Sequence, residues 1–336
     1  LVAHHNARRE EAGLQARSIS RWVWAQLQRE AFHSRVLAVF DRACSLVTTD
    51  GDVIALVLPQ IGDGPLNIVV DGAPGDFALI EPGTPTWMAR DCLQVGEISV
   101  SLANTSVWDP RPDWDGLRAC HKAITQQLSQ LRTTALRHAP ECSLLALLPN
   151  HLTSAAAGLW SGRSSGEGSL DYGPSEPPQE NLTTVLLASA RRGAEAVKSG
   201  WKGDVAWLEA GAAQLAGLGG GLTPAGDDFL TGVMMWAWLA HPTPRQVCHT
   251  LLKAAVPHTT TLSAAFLQAA ARGECSAPWH RLLIALEHGT EEQLAKATRT
   301  LLAYGHTSGA DALAGFLWME RESSDGQTIA GRGTSG

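Results

Sequence analysis

Several things this chain has little of narrow what it can be. Its six cysteines stand at 44, 92, 120, 142, 248 and 275, none close to another. That spacing leaves no CxxC pair for zinc or thiol redox chemistry. Scattered single thiols fit a reducing cytoplasm, where they pack as small core residues. Basic residues come as short pairs such as Arg8-Arg9 and Arg191-Arg192, never as a long run, and the net charge is −7. Nucleic acid is therefore not an expected partner. The longest apolar run, Val233 to Ala240, is far too short to span a bilayer. The first residues, LVAHHNARREEAGLQARS, carry no apolar signal core. Neither HExxH nor GxxxxGK[ST] occurs, so zincin and P-loop chemistry have no motif to rest on. Tyrosine is scarce, 2 residues against 12 tryptophans, and tryptophan at that level points to large buried packing units. The expectation is a cytoplasmic, enzyme-sized protein with no membrane association.

What is present bounds the fold. A chain of 336 residues with 44% hydrophobic and 18% charged residues folds and has room for two domains. Residues 14–32 read as a helix, with Leu14, Ile19, Trp22, Val23, Leu27 and Phe32 near helical spacing. This makes 1–33 an N-terminal helical segment. From 34 to 110 the texture changes to short β-branched runs such as VIALVLP and NIVVDG, separated by turn pairs. Asp50-Gly51 between two runs signals a hairpin. The expected fold class is α+β: an N-terminal β-barrel or sandwich-like module followed by a mostly helical C-terminal domain. A helical connection covers 111–160, with SLLALLP (143–149) as a short apolar strand or helix end. Residues 161–180, rich in Gly, Ser and Pro, read as a flexible loop or linker. Helices follow over 181–320, and 321–336 reads as a disordered tail.

One stretch organises the helical domain. Residues 217–232 read GLGGGLTPAGDDFLTG. Gly219, Gly220 and Gly221 let the backbone turn freely and approach a ligand closely. Thr223 is placed as an N-cap, with Pro224 at the first helical position. A glycine-rich loop running into a helix start gathers free N–H groups and the positive end of the helix dipole, which suits an anion. The plainer reading is a well-capped core helix.

The logic recurs in GHTSGADALAGFLWM, 305–319. Aligning Gly221 with Gly305 puts Thr223 on Thr307 and Asp227 on Asp311. Hydroxyl, carboxylate and N–H groups then share one face, so two helix starts can aim at one ligand. Caps and early aspartates also stabilise helices by roughly 0.5–2 kcal/mol without any ligand. That accounts for Thr223, Thr307 and one aspartate each, but not for Asp228 beside Asp227. His306 adds a titratable group in the second loop. The aspartate pair with phosphate oxygens would suit Mg²⁺. It can equally hold an amide or ammonium group, or cap its own loop, so the metal stays open. Two further segments offer polar groups. In IGDGPLNIVV (61–70), Asn67 carries both a donor and an acceptor, although the loop also reads as a plain turn. In HTTTLSAAFL (258–267), Thr259, Thr260, Thr261 and Ser263 precede a helix that they can simply cap.

GLTPAGDDFLTG and GHTSGADALAGFL, in this order and with GDGPLNI upstream, resemble a bacterial family long catalogued without a known function. One of its members is a subunit of oxamate carbamoyltransferase in anaerobic allantoin degradation, a branch of purine catabolism. The resemblance spans most of 34–320 and is most specific at the two C-terminal junctions. It departs at Ala225, where the family often has Ser. It implies transfer of a carbamoyl group between phosphate and the amide nitrogen of oxamate, and partner subunits, one similar to acyl-CoA synthetase subunits. The Ser-Thr-Arg-Thr-Arg phosphate motif of familiar carbamoyltransferases is absent. Carbamoyl phosphate and an oxamate-like anion would then be held by Gly220, Gly221, Thr223, Gly305, Thr307 and Ser308, with Asp311 and Asn67 nearby. Asp227 or Asp228 would orient an amide nitrogen or a cation, and His306 would shuttle a proton. Arg191, Arg192, Lys198, Lys202 or a partner chain would supply positive charge. The competing readings are a non-catalytic ligand-binding subunit and a stand-alone enzyme acting on a related ureido or amide substrate.

Overall fold

The computed structural model describes residues 13–29, 32–149 and 182–325. The expected linker at 161–180 lies outside these residues. The expected tail is partly inside them, because the last helix continues to Asp325.

The first strand, β1 (Leu14–Ser20), leads directly into a short helix, α1 (Arg21–Leu27). This corrects the expectation of one helix over 14–32. Trp22, Val23 and Leu27 carried the helical period, and the alternation in LQARSIS is too short to compete with it. Tertiary pairing decides the outcome, because Ile19 is wanted in the barrel core and is fully buried there.

Eight further strands follow: β2 (His33–Phe40), β3 (Ala43–Thr48), β4 (Val53–Val57), β5 (Asn67–Val70), β6 (Pro85–Ala89), β7 (Cys92–Val95), β8 (Ile98–Ser101) and β9 (Ser106–Trp108). Of the alternatives left by the sequence, the module is a barrel. The ring runs β5-β4-β3-β2-β6-β7-β8-β1 and closes where β1 pairs antiparallel with β5. β9 continues the edge of β1 beyond β8, pairing Ser18 with Ser106 and Ser20 with Trp108. Closure leaves the ring no free edges. The Asp50-Gly51 turn joins β3 and β4 as an antiparallel hairpin, with Gly51 at φ 88°. β4 and β5 instead lie parallel, so their connection, residues 58–66, must run back toward the end at which β4 began. Ile19, Leu46, Ile54, Ile68, Leu93 and Val100 fill the interior.

The helical part begins with α2 (Trp114–Ala119) and α3 (His121–Arg137), then a 3₁₀ turn at Leu144–Leu147. It continues with α4 (Leu182–Gly200), α5 (Val205–Leu215), α6 (Ala225–Ala240), α7 (Pro244–Ala255), α8 (Thr261–Ala271), α9 (Ala277–His288), α10 (Glu291–Leu302) and α11 (Ser308–Asp325). α6 is the hub. Phe229, Leu230, Val233, Met234, Met235, Trp236 and Leu239 are all buried, as expected of a helix that is apolar all round. Its closest partner is α11, and glycine sets the approach. A Cβ on Gly232 would stand 1.7 Å from the Ala312 carbonyl, and one on Gly315 would stand 2.0 Å from that of Phe229. Trp236 meets Phe316 edge-on at 5.1 Å beside this crossing.

The barrel docks on the helices through a small apolar seam, Val53 and Leu66 against Leu262 and Ala265. Two backbone bonds reinforce it: Ala277 N–H donates to Asp63 O at 2.9 Å, and Cys275 N–H to Pro110 O at 2.9 Å. The barrel loop around Asp63 is thereby fixed beside the start of α9.

Candidate functional site

The first junction is the loop between α5 and α6. Gly217, Gly219 and Gly221 have φ of 71°, 116° and 88°, which only glycine adopts without strain. Gly217 is also cramped, since a Cβ there would lie 2.2 Å from the His258 carbonyl. The loop folds back on the helix start, with Gly226 N–H donating to Leu218 O at 2.9 Å. The hydroxyls of Thr260 and Ser263 donate to Leu222 O at 2.6 and 3.4 Å. The HTTTLS segment therefore does two things: Thr260 caps α8 through Ser263 N–H, and the same hydroxyls hold the glycine loop. Thr223 is not the N-cap that its sequence position suggested. That place belongs to Pro224, which has no side chain to cap with. The Thr223 hydroxyl points instead to the second junction, 3.4 Å from Ser308 Oγ. Gly220 and Gly221 are exposed, with nothing within 4 Å of an added Cβ.

The second junction, between α10 and α11, is shorter. Gly305 takes φ 67°. Gly309 N–H donates to Tyr304 O at 3.0 Å, and Thr307 O accepts from Asp311 N–H at 2.8 Å. Superposing the helix starts, Ala225 on Ser308, places Gly226 on Gly309, Asp228 on Asp311, Phe229 on Ala312 and Gly232 on Gly315. The steric pattern obeys this register: Gly226 faces the Leu215 carbonyl at the end of α5, and Gly309 faces the Leu301 carbonyl near the end of α10. The loop motif had aligned Asp227 with Asp311, one residue out. The two loops differ in length, so a match made on Gly-x-Thr slips against the helices. The structural mate of Asp311 is Asp228.

The three carboxyls have three different fates. Asp227 is buried, and both of its oxygens are engaged: Oδ1 accepts from Gly217 N–H at 3.2 Å and Oδ2 from the Thr259 hydroxyl. Burial raises its pKa, while Thr259, Gly217 and Ser263 pull it back down. Asp311 is fully buried; its Oδ1 accepts from Leu144 N–H at 2.6 Å, while its Oδ2 is enclosed without a hydrogen-bond partner. Burial lifts it to about 6 against the bonds from Leu144 and Thr307. Asp228 is half-buried as a residue, but its Oδ2 is enclosed without a hydrogen-bond partner. Burial raises its pKa to about 8; Ser308 opposes the rise, and the charges of Asp311 and Asp227 add to it. At neutral pH Asp228 is therefore mostly a neutral acid with a proton to donate.

The other expected residues fall as follows. His306 is exposed in the second loop. Asn67 is buried, and its Nδ2 donates to Gly62 O at 2.9 Å, holding the 58–66 connection. Arg191 donates to Leu147 O at 3.5 Å and lies 5.9 Å from the Trp318 ring, so it is tied into the helix packing. Among the described residues no group of three or more His, Cys, Asp and Glu could hold a metal ion, and Asp227 already gives both oxygens to internal donors.

Tyr304 was missed by the sequence reading. It sits one residue before Gly305, and its hydroxyl is pushed up to about 12 by burial and by the charge of Asp228. As one of only two tyrosines in the chain, placed in a glycine junction, it carried a readable signal.

Two sequence models of one family match the chain: oxamate carbamoyltransferase subunit AllH over residues 215–319, and the AllH family N-terminal domain over 15–107. The first covers both glycine junctions and α6; the second covers the barrel. Together they account for more than half of the chain. No solved structure matches it. Among the described residues no helix is long and apolar enough to cross a membrane. The chain belongs to the AllH family of oxamate carbamoyltransferase subunits, and a subunit by that description has partner chains.

Proposed function

We propose that the paired junctions take part in moving a carbamoyl group between phosphate and the amide nitrogen of an oxamate-like substrate. In the degradative direction a phosphate oxygen attacks the ureido carbonyl, the bond from that carbon to the amide nitrogen breaks, and the nitrogen needs a proton. Asp228 supplies it, and in the reverse direction its carboxylate takes the proton back. The observation that carries this reading is the state of Asp228: an enclosed, unpartnered Oδ2 on a carboxyl raised to about 8. A neutral acid also removes the repulsion that an ionised aspartate pair would exert on anionic substrates.

The remaining roles follow from exposure and position. Gly220, Gly221 and Thr223 from one loop, with Gly305, Thr307 and Ser308 from the other, offer backbone N–H groups and hydroxyls to the substrate's carbonyl and carboxylate oxygens. The 3.4 Å approach of Thr223 to Ser308 supports treating them as one site. His306, exposed beside them, relays protons between Asp228 and solvent, returning one after the degradative step and removing one after the reverse. Asp227 and Asp311 hold the frame. Partner subunits, one of them acyl-CoA-synthetase-like, complete the enzyme.

Asp228→Asn in the assembled complex tests the reading. Turnover should fall by roughly 10²-fold or more, with a melting temperature at pH 7 no lower than the parent's, because the amide removes the penalty of ionising a buried carboxyl. A variant as active as the parent removes Asp228 from the chemistry. Turnover by the isolated chain with carbamoyl phosphate and oxamate would show that no partner subunit is required.

A further inference from the structure

The expected sources of positive charge lay in α4 and the loop after it, but the structure gathers cations elsewhere. An open pocket of about 540 Å³ lies between the β4–β5 connection and the helices α9 and α10. Gly62 and its neighbours form one wall, Arg281 comes from α9, and Lys296, Arg299 and Thr300 come from α10, with Tyr304 just beyond that helix. None of the lining residues is acidic, in a chain of net charge −7. Among the described residues none of these three cations has an ion-pair partner.

The three cations lie on two neighbouring helices. Lys296 and Arg299 are three apart on one helix face, where like charges repel by a few tenths of a kcal/mol, and Arg281 adds a third charge from the facing helix. The pocket walls are also braced. Asn67 holds Gly62, and Asp63 O accepts from Ala277 N–H at the start of α9.

We propose that this pocket is a phosphate site, taking a small phosphate-bearing molecule with its phosphate among Arg281, Lys296 and Arg299. A carboxylate is met by one guanidinium fork. Three cations from two helices suit a dianion whose oxygens point in separate directions. The pocket also borders the junction site. Tyr304 lines it, and the charge of Asp228 reaches the Tyr304 hydroxyl, so the pocket lies on the far side of Tyr304 from Asp228. The assignment stands on the pocket's own residues and does not depend on the carbamoyl-transfer reading.

Calorimetric titration of the purified full-length chain with inorganic phosphate at low ionic strength is the test. The parent should bind phosphate saturably, and sulfate should compete. The double variant Lys296→Ala with Arg299→Ala should bind at least roughly tenfold more weakly. Its melting temperature should hold, since both side chains are exposed. Arg245→Ala, an exposed cation on α7, should bind as the parent does. Asp228→Asn should also keep phosphate affinity, so failure of the catalytic proposal and failure of this one are told apart. Equal affinity in the parent and the double variant overturns the proposal. So does an absence of saturable phosphate binding, or binding of oxamate in place of phosphate.

Discussion

At the α6 junction the glycine loop is bolted to α8. Asp227 reaches back to Gly217 N–H and across to Thr259, and the Leu222 carbonyl takes two hydroxyls from the start of α8. At the α11 junction no such neighbour arrives. The loop is shorter, Asp311 turns inward to Leu144, and His306 is left exposed. The helices beyond are near equivalents, each bringing a glycine against the other's carbonyl. What differs is what each loop leans on. Similar helix chemistry has thus produced one wall braced against α8 and one that is not. Asp228 belongs to the braced junction by sequence, yet it faces Ser308, Asp311 and Tyr304 of the other.

The comparison can be broken first at the helix crossing. Gly232→Ala and Gly315→Ala each drive a Cβ to within about 2 Å of a carbonyl. Each should destabilise the chain by about 3 kcal/mol or more, read as a drop in denaturant midpoint. If either variant is as stable as the parent, the helices do not pack as described.

Asp227→Ala comes next. It strands the Gly217 N–H and the Thr259 hydroxyl in a half-buried place, a loss of about 2 kcal/mol. A change within about 0.5 kcal/mol would mean that the brace is unimportant. Asn67→Ala should cost somewhat less, about 1–2 kcal/mol, and should also weaken phosphate binding by loosening Gly62. Gly220→Ala is the small end of the series. Its Cβ meets open space and its φ is not positive, so stability should stay within about 0.5 kcal/mol while turnover falls if substrate sits on that loop.

Much of this was legible in the sequence, for physical reasons. The barrel's hairpins were marked by turn pairs such as Asp50-Gly51, and the apolar α6 could only be a buried helix. β1 was hidden because seven residues of weak alternation run straight into a real helical period at Trp22, Val23 and Leu27. The junctions stood out through their glycines, but their mutual register did not, because the glycines that fix it are Gly232 and Gly315, beyond the loop motif. Thr223 looked like a cap because Thr-Pro often is one; the loop's fold toward α8 gives that place to Pro224. The cationic pocket left no motif at all. Arg281, Lys296 and Arg299 lie on two helices and meet only across the barrel loop. The faint trace was Lys296, Arg299, Thr300 and Ala303 along one face of α10, a polar stripe like many solvated ones.

Proton linkage gives the central claim a measurable sign. Asp228 rises from an ordinary 3.8 to about 8 in the folded chain. Between those values the folded chain keeps a proton that the unfolded chain has released, so stability falls as pH rises from 3.8 toward about 8 and levels off above. Asp311, raised to about 6, adds a drop confined to the lower part of that range. Asp228→Asn should therefore match the parent near pH 4 and exceed it in stability above pH 8. The most direct measurement is the titration of the Asp228 carboxyl itself, followed by carbon NMR with Asp228→Asn to assign the signal. A midpoint near 8 is the predicted result; a midpoint near 4 would mean that Asp228 is ionised at neutral pH and holds no proton to give.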